Sequence, residues 1–145
     1  MPLIDIVQLD SGLALPAYAK PGDGAVDLLA RADGEVAPGG GRLLVGSGIA
    51  VALPDGWCAL VLSRSGLAAR HGVFVANAPG LVDAGYRGEI MIPLVNTDAS
   101  VPFVVRRGDR VAQLLVLQLD GIRWNVVDEL DATERGAGGF GHTGR

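Results

Sequence analysis

Glycine and proline interrupt this chain so often that they limit the length of any regular element it can form. The 145 residues include 22 glycines and 8 prolines, and the runs between them are short and rich in Val, Leu, Ile and Ala. Both residues disfavour helix interiors, whereas short apolar runs between turn residues are typical of strands. Because a chain of this length fits one domain, we predict a single all-β domain.

The apolar runs give the predicted positions of the elements. Two β-like arms on either side of residues 83–88 predict a hairpin within residues 80–96. A single helical turn is predicted near residues 67–70, before extended structure resumes at 73. Strands are predicted for residues 2–9, 24–30, 41–54 (two strands meeting at Gly46 and Gly48), 57–62 (covered on both faces), 101–105 and 110–119.

Composition narrows the classes of partner. The formal net charge of −4 argues against a nucleic-acid-binding surface, which needs clustered basic residues. No apolar run approaches the roughly 18 residues of a membrane span, so we expect no membrane partner. Cys58 is the only cysteine, which excludes an internal disulfide, favours a cytoplasmic location and predicts a buried, inert thiol.

Polar residues are concentrated in four short segments and the C-terminal tail. The segments are "GAVDL" around Asp27, "SRSG" at 63–66, "NAPGLVDAGYRGE" at 77–89 and "RGDRVAQ" at 107–113. Each alone could be a turn or a solvent-facing strand, and the Gly-rich tail could be disordered. Together they supply Arg, Ser, Gln and glycine backbone for an anion and Asp for a cation or a water, which suits phosphate-ester chemistry.

The same segments carry a resemblance that covers nearly the whole chain. They are similar, in order and spacing, to the five motifs of the trimeric deoxyuridine triphosphate nucleotidohydrolases, the dUTPases. The motifs are "GAVDLLA" (24–30), "SRSGLA" (63–68), "NAPGLVDAGYRGEI" (77–90), "RGDRVAQLLV" (107–116) and "RGAGGFGHTG" (135–144). The third is the most specific of them.

The resemblance implies a fold, a reaction and an assembly. The expected fold is a distorted, jelly-roll-like antiparallel β-barrel spanning residues 1–134, with residues 135–145 as a flexible arm that closes over the active site. The expected activity is that of a dUTP diphosphatase, which hydrolyses dUTP to dUMP and pyrophosphate with Mg²⁺, keeps uracil out of DNA and supplies dUMP for thymidylate synthesis. A homotrimer with active sites shared between subunits is also implied.

The third motif implies the base-reading and catalytic residues. Asp83 matches the aspartate that activates the attacking water, a role open to an ionised carboxylate within hydrogen-bond reach. Tyr86 matches the tyrosine that stacks on deoxyribose and excludes a 2′-hydroxyl. Asn77, with the backbone from Gly80 through Val82 to Asp83, matches the uracil-reading hairpin. Met91 either adds a main-chain contact or is a core residue.

The other motifs imply the phosphate contacts. Arg64, Ser65 and Gly66 match the phosphate grip, and Gln113 matches a residue at the α-phosphate. Asp27 resembles the aspartate that holds Mg²⁺ through water. Arg87, Glu89, Asp109 and Arg110 are instead expected to be structural charges around turns.

The fifth motif implies contacts from the arm. Phe140 would stack on uracil, Arg135 would reach the γ-phosphate, and Gly141 and Thr143 would add substrate contacts. Two positions depart from the family pattern: Gly24-Ala25 replaces the usual Ala-Gly, and His142 stands where serine is common, so that Thr143 or a backbone amide would make the γ-phosphate contact.

Two alternative functions remain open from the sequence. The first is the related dCTP deaminase branch, which shares the fold but needs a glutamate for cytosine deamination. The second is a non-catalytic β-barrel scaffold or regulatory binding protein. The segment "VDAGYRGE" favours the hydrolase over the deaminase, and the presence of acidic, basic and tail motifs together argues against a scaffold.

Overall fold

The computed structural model describes residues 2–138 and is almost entirely β-structure. Within that range eleven strands and one helix follow one another along the chain. They are β1 (Asp5–Gln8), β2 (Val26–Leu29), β3 (Gly34–Val36), β4 (Gly41–Gly46), β5 (Ile49–Ala52), β6 (Trp57–Ser63), α1 (Ser65–His71), β7 (Val73–Val75), β8 (Gly80–Val82), β9 (Met91–Asn96), β10 (Phe103–Val105) and β11 (Arg110–Gln118).

All the strand pairs of the described range are antiparallel. The largest sheet has the order β2-β11-β6-β8, and a second sheet has the order β4-β9-β7. Two smaller pairs, β1 with β5 and β3 with β10, complete the sheets of this part of the chain. The predicted all-β class is therefore confirmed, with β3 as a strand that the sequence did not indicate.

Alternation along the strands creates the core. Successive side chains of a strand point to opposite faces, and β9 accordingly buries Ile92, Leu94 and Asn96 while the residues between them are more exposed. The same periodicity in the large sheet buries Leu28 on β2 and Val61 on β6. These aliphatic faces of the two larger sheets form one continuous hydrophobic cluster.

Asn96 is a polar residue inside this core, and it is fully paired. Its Nδ2 donates to the carbonyl oxygens of Val36 at 3.1 Å and Val101 at 2.9 Å. Its Oδ1 accepts from the Asp98 amide at 3.0 Å. Buried polar groups are tolerated when hydrogen-bonded, and these three bonds connect β9 to β3 and to the loop before β10.

The predicted hairpin within residues 80–96 is wrong in its pairing. β8 pairs with β6, whereas β9 pairs with β4 and β7, so the two arms belong to different sheets. The backbone of Ile90 explains the divergence, because it accepts from Ser47 N at 3.1 Å and donates to Ile49 O at 3.0 Å. The segment between the arms is thus fixed to the turn between β4 and β5 and crosses from one sheet to the other.

Two further predictions differ in detail. The helical turn extends to Ser65–His71 and ends at Gly72, whose left-handed φ of 63° lets its amide bond back to Ala68. The strand β6 is buried on one face and half-buried on the other, rather than covered on both. Cys58, near the start of this strand, is a buried free thiol as predicted.

Candidate functional site

A first cleft lies at the edge of the large sheet, beside β8. It has a volume of about 170 Å³. Five of the predicted substrate-binding residues line it: Asn77, Gly80, Val82, Tyr86 and Met91. The aliphatic side chains of the rest of the lining make it an apolar slot with a polar rim. The structure therefore brings Tyr86 together with most of the base-reading residues expected from the third motif, whereas Asp83 does not line the cleft.

Glycine at position 80 sets the shape of this cleft. A Cβ there would lie 3.1 Å from Nδ2 and 3.3 Å from Oδ1 of Asn77, closer than ordinary van der Waals contact. The amide of Asn77 is therefore packed directly on the backbone where β8 begins. β8 is also the last strand of its sheet, so one side of its backbone has no partner strand within the described sheet.

Tyr86 stands at the mouth of the cleft on a tight turn. Its amide donates to the Asp83 carbonyl at 3.0 Å, and its hydroxyl donates to the Glu89 carbonyl at 2.8 Å. The ring packs on Gly88, where a Cβ would lie only 2.5 Å from the hydroxyl oxygen. The absence of a side chain at position 88 thus allows the tyrosine to fold back over its own turn.

Asp83 follows β8 directly and is exposed to solvent. It opens the turn that carries Tyr86, so its position is fixed by the same backbone hydrogen bond. An exposed carboxylate at the end of an ordered strand can accept a hydrogen bond from a water molecule. It does not line the first cleft but adjoins it in the chain.

A second, more polar cleft lies on the outer face of the large sheet. It has a volume of about 400 Å³, and Asp27, Arg64 and Gln113 line it. Strand register explains the grouping, since Asp27 lies opposite Gln113, and Gln113 lies opposite Leu62. Residues directly opposite one another in an antiparallel ladder project to the same face.

Asp27 has an unusual hydrogen-bonding state. Its Oδ1 lies 3.2 Å from Arg64 Nε, and its Oδ2 lies 3.5 Å from Arg110 Nη1. The first contact lacks hydrogen-bond geometry, so Oδ1 is buried without a hydrogen-bond partner in the described part of the chain. Arg64 is held in addition by a 2.8 Å bond from Nη1 to the Arg110 carbonyl. A carboxylate oxygen and an oriented guanidinium therefore face one cleft.

The remaining predicted phosphate residues lie at the start of α1. Ser65 and Gly66 follow Arg64 directly, and the side chain of Ser65 is exposed. A Cβ on Gly66 would meet Arg70 Nη2 at 2.9 Å, a contact that a flexible side chain can relieve. These two residues are adjacent in the chain to the polar cleft without lining it.

The predicted arm is described only in part. Arg135 is exposed, its Nε donates to the Gly138 carbonyl at 3.1 Å, and it lines neither cleft. Phe140, Gly141 and Thr143 lie outside the described residues, as does His142. Sequence reasoning missed Ala19 and Asp23, which line the polar cleft. The available signal was the turn "KPGDG" directly before β2.

The carboxylates with displaced pKa values lie outside both clefts. The hydrogen bond from Arg107, together with one from the Gly12 amide, lowers the pKa of Asp10. A hydrogen bond from the Arg107 amide likewise lowers the pKa of Asp33. These contacts connect turns of the fold, so they are structural.

Among residues 2–138 no cluster of three or more His, Cys, Asp or Glu side chains is arranged to hold a metal ion. No helix in that range is both long enough and apolar enough to cross a membrane.

Comparison with known proteins decides the family. The family model described as dUTPase matches residues 12–144. A deoxyuridine 5′-triphosphate nucleotidohydrolase of Thermobifida fusca is 55% identical over 141 residues, covering 97% of this chain and 78% of that protein. A protein of the same name from Dictyoglomus turgidum is 52% identical over 142 residues, with 96% of each covered.

The chain belongs to the dUTPase family. The resemblance found in the sequence is confirmed, and the match with dUTPases favours the hydrolase over the deaminase and scaffold alternatives. The dUTPase fold is also that of solved structures. The dUTPase of Staphylococcus bacteriophage 80alpha with dUPNHPP superposes with a TM-score of 0.88 at 21% identity, covering all of both chains. The dUTPase of phage phi11 of S. aureus, described with a structural Mg(II) ion, has a TM-score of 0.81 at 18% identity and covers 90% of this chain and 100% of that one. The predicted jelly-roll-like fold is therefore confirmed.

Proposed function

We propose that this chain is a dUTP diphosphatase, which hydrolyses dUTP to dUMP and pyrophosphate. The observation that carries the proposal is the first cleft, where the predicted base-reading residues meet Tyr86 beside Asp83. The names of its relatives support the same reaction. The exposed Asp83 carboxylate and the Arg64 cleft provide the two kinds of group that phosphoanhydride hydrolysis needs.

Uracil is read mainly by the backbone of β8. An edge strand presents N–H and C=O groups that can pair with the polar edge of a flat base. Asn77 adds an amide with both a donor and an acceptor. Close packing of the β8 backbone against the base would leave no space for a thymine methyl group. Tyr86 stacks on the sugar and leaves no room for a 2′-hydroxyl.

Asp83 acts as general base in the chemical step. It takes a proton from a water molecule whose oxygen attacks the α-phosphorus in line with the bridging oxygen to the β-phosphorus. The new bond forms between water oxygen and α-phosphorus, and the bond to the bridging oxygen breaks, which releases pyrophosphate. The exposure of Asp83 allows the proton to pass on to solvent.

Arg64, Ser65, Gly66 and Gln113 hold the phosphates. Arg64 supplies a charged, preorganised fork. Ser65 adds a hydroxyl, Gly66 adds a backbone amide, and Gln113 projects a side-chain amide from β11. Together they balance the negative charge that shifts toward the leaving pyrophosphate.

Asp27 is suited to hold hydrated Mg²⁺. Its buried Oδ1 without a hydrogen bond is an acceptor that a metal-bound water could satisfy. Mg²⁺ commonly keeps several waters and binds through one or two carboxylates plus substrate phosphates. When bound, the ion would supply charge neutralisation at the triphosphate.

We also propose a homotrimer with shared active sites, and the placement of the two clefts supports a site formed between copies. Asp27 and Gln113 share the outer face of the large sheet with Leu62. The neighbouring residue Val61 points to the opposite face and lines the base cleft. This separation of the two clefts supports a site in which the base cleft of one copy meets the phosphate cleft of another.

Residues 135–145 complete the site as an arm, with residues 1–134 as the barrel. Arg135, Phe140, Gly141 and Thr143 are proposed to contact the γ-phosphate and the uracil when the arm closes. Five glycines in residues 135–145 let the backbone approach phosphates closely. Closure would exclude bulk water from the reacting phosphorus. We place the protein in the cytoplasm, where the free thiol of Cys58 would stay reduced.

A nucleotide panel tests the proposal. The purified chain with Mg²⁺ should release pyrophosphate from dUTP, and barely from dTTP, dCTP or UTP. Equal turnover of dTTP would contradict the proposed base cleft. Formation of dUTP from dCTP would instead support the deaminase alternative, and no turnover of any nucleotide would support the scaffold.

A further inference from the structure

Glu89 makes a set of contacts that neither its place in the motif nor the proposed chemistry explains. Its Oε1 accepts from the Gly48 amide at 2.8 Å, and its Oε2 accepts from Arg31 Nη1 at 3.0 Å. The side chain is only 19% exposed. Glu89 is therefore more than a solvated charge on a turn, because a partly buried carboxylate occupies two charge-assisted hydrogen bonds.

The turn between β4 and β5 is shaped to receive this carboxylate. A Cβ on Gly46 would lie 2.5 Å from Glu89 Oε1, so only glycine leaves the space that the carboxylate fills. Gly48 has a φ of 74°, which few other residues adopt and which orients its amide toward Glu89. Arg31 is itself fixed, since its amide donates to the Gly46 carbonyl at 2.8 Å.

The backbone of Glu89 is connected to the sugar-stacking residue. Its carbonyl accepts the hydroxyl of Tyr86 at 2.8 Å. Tyr86 is 43% exposed, so packing alone restrains its ring weakly. Tyr86 is held at two points: its backbone amide donates to the Asp83 carbonyl, and its hydroxyl donates to the Glu89 carbonyl. The position of the Glu89 carbonyl therefore sets the angle of the ring.

We infer that Glu89, clamped by Arg31 and Gly48, is a positioning residue that holds Tyr86 against the sugar and so fixes the selection of deoxyribose over ribose. The inference rests on the proposed function, because it assigns a task to Tyr86 in that site. Glu89 does not touch the nucleotide. It acts by holding the carbonyl that orients the ring.

The chain offers a closely matched control ion pair. Asp10 accepts from Arg107 at 2.8 Å and from the Gly12 amide at 3.0 Å. The side-chain exposures of Arg107 and Asp10 are 44% and 21%, against 42% and 19% for Arg31 and Glu89. Asp10 therefore reproduces the exposure and the kinds of partner without any bond to residues 83–91.

The experiment compares kcat/KM for dUTP with kcat/KM for UTP in full-length variants. Glu89→Ala should lower the ratio of the two values by about tenfold or more, and Tyr86→Phe should lower it in the same direction. Asp10→Ala should keep the wild-type ratio. Glu89→Gln should restore most of it, because an amide oxygen still accepts from Gly48.

Two further measurements separate positioning from general loosening. Urea unfolding should show similar losses of stability for Glu89→Ala and Asp10→Ala. If Glu89→Ala does not fold, Arg31→Met removes the ion pair while keeping the Gly48 bond, and a lowered ratio in that variant supports the inference. Unchanged dUTP-to-UTP ratios in the Glu89 and Arg31 variants would overturn it. Absence of dUTP turnover in the wild-type chain would contradict the proposed function instead.

Discussion

Replacement of Gly88 by alanine should displace Tyr86 and expose how much the reaction depends on its ring. The added Cβ would lie 2.5 Å from the tyrosine hydroxyl oxygen, 2.7 Å from Cζ and 3.1 Å from Cε2. Non-bonded heavy atoms are at best separation near about 3.5 Å, so the ring must retreat by about 1 Å. Neither Gly88 nor Gly85 has a positive φ, so alanine is allowed by the backbone at both.

The functional cost should be much larger than the structural cost. A misplacement of about 1 Å can cost about 10²-fold in rate, so kcat/KM for dUTP should fall about 100-fold. The ring is partly exposed and can swing outward, so stability should fall only by about the net value of the Glu89 hydrogen bond, about 0.5–1.5 kcal/mol. Pyrophosphate release measures the first quantity and urea unfolding the second.

Gly85→Ala is the matched control in the same turn. A Cβ there meets no heavy atom within 4 Å, so dUTP turnover should stay near the wild-type value. If Gly88→Ala kept wild-type kcat/KM, the placement of Tyr86 by Gly88 would be refuted. Equal losses in both variants would show that the turn tolerates no side chain at all, which would also contradict the argument from the ring.

Four other predictions concern the general base, the arm, the core and the loop that follows β9. Asp83→Asn should abolish turnover while dUTP still binds in a calorimetric titration, since it removes the proton acceptor but not the phosphate grip; lost binding would argue against that role. A chain lacking residues 135–145 should lose catalysis far more than unfolding free energy, and unchanged turnover would contradict the proposed arm. Asn96→Ala leaves three backbone groups without their partners, so urea unfolding should show a loss of about 3 kcal/mol or more; a loss below about 1 kcal/mol would mean that water replaces the amide. Amide bonds from Ser100 and Val101 lower the pKa of Asp98, so its stabilisation is present above its ordinary pKa and is lost as pH falls through the lower folded-state pKa. Asp98→Asn, which can still accept both bonds, should therefore flatten the acid end of the stability curve, and an unchanged curve would assign acid sensitivity to other groups.

Local patterns in the sequence predicted most of the strands. The glycines at 46 and 48 separate β4 from β5 as expected, and the apolar run after Arg110 forms β11. β3 was missed because three residues, "GEV", are too few to show an alternating pattern. The false hairpin has a different cause. The bonds between Ile90 and Ser47–Ile49 join residues more than forty positions apart, and no local pattern reports them.

In the candidate site, too, local patterns predicted some features, whereas features that depend on long-range contacts could not be predicted. The residue types in the motifs identified several residues of each cleft but missed Ala19 and Asp23, because the chemistry of anion binding or of a flat base limits only which polar side chains can serve. The role inferred for Glu89 was not predictable, since its partners Arg31 and Gly48 are brought near it only by the folded sheets. Periodicity within β6 could have placed Val61 and Leu62 on opposite faces, but not the two clefts that they border.

Asp27 shows why the polar cleft should be probed by a charge change rather than by truncation. Its carboxylate contacts two guanidinium groups, those of Arg64 and Arg110, so the single chain already contains an excess of one positive charge at this point. Alanine would remove the proposed acceptor for Mg²⁺-bound water and would also free Arg64 from one of its two restraints. Asparagine keeps the volume and one side-chain oxygen but removes the negative charge. Asp27→Asn can therefore weaken the effect of Mg²⁺ on turnover while Arg64 stays in place, and the two effects can be measured separately. Under the proposed function the carboxylate would have two separable tasks: it orients Arg64 of its own chain, and it would offer a buried oxygen to the hydrated Mg²⁺ that accompanies the nucleotide.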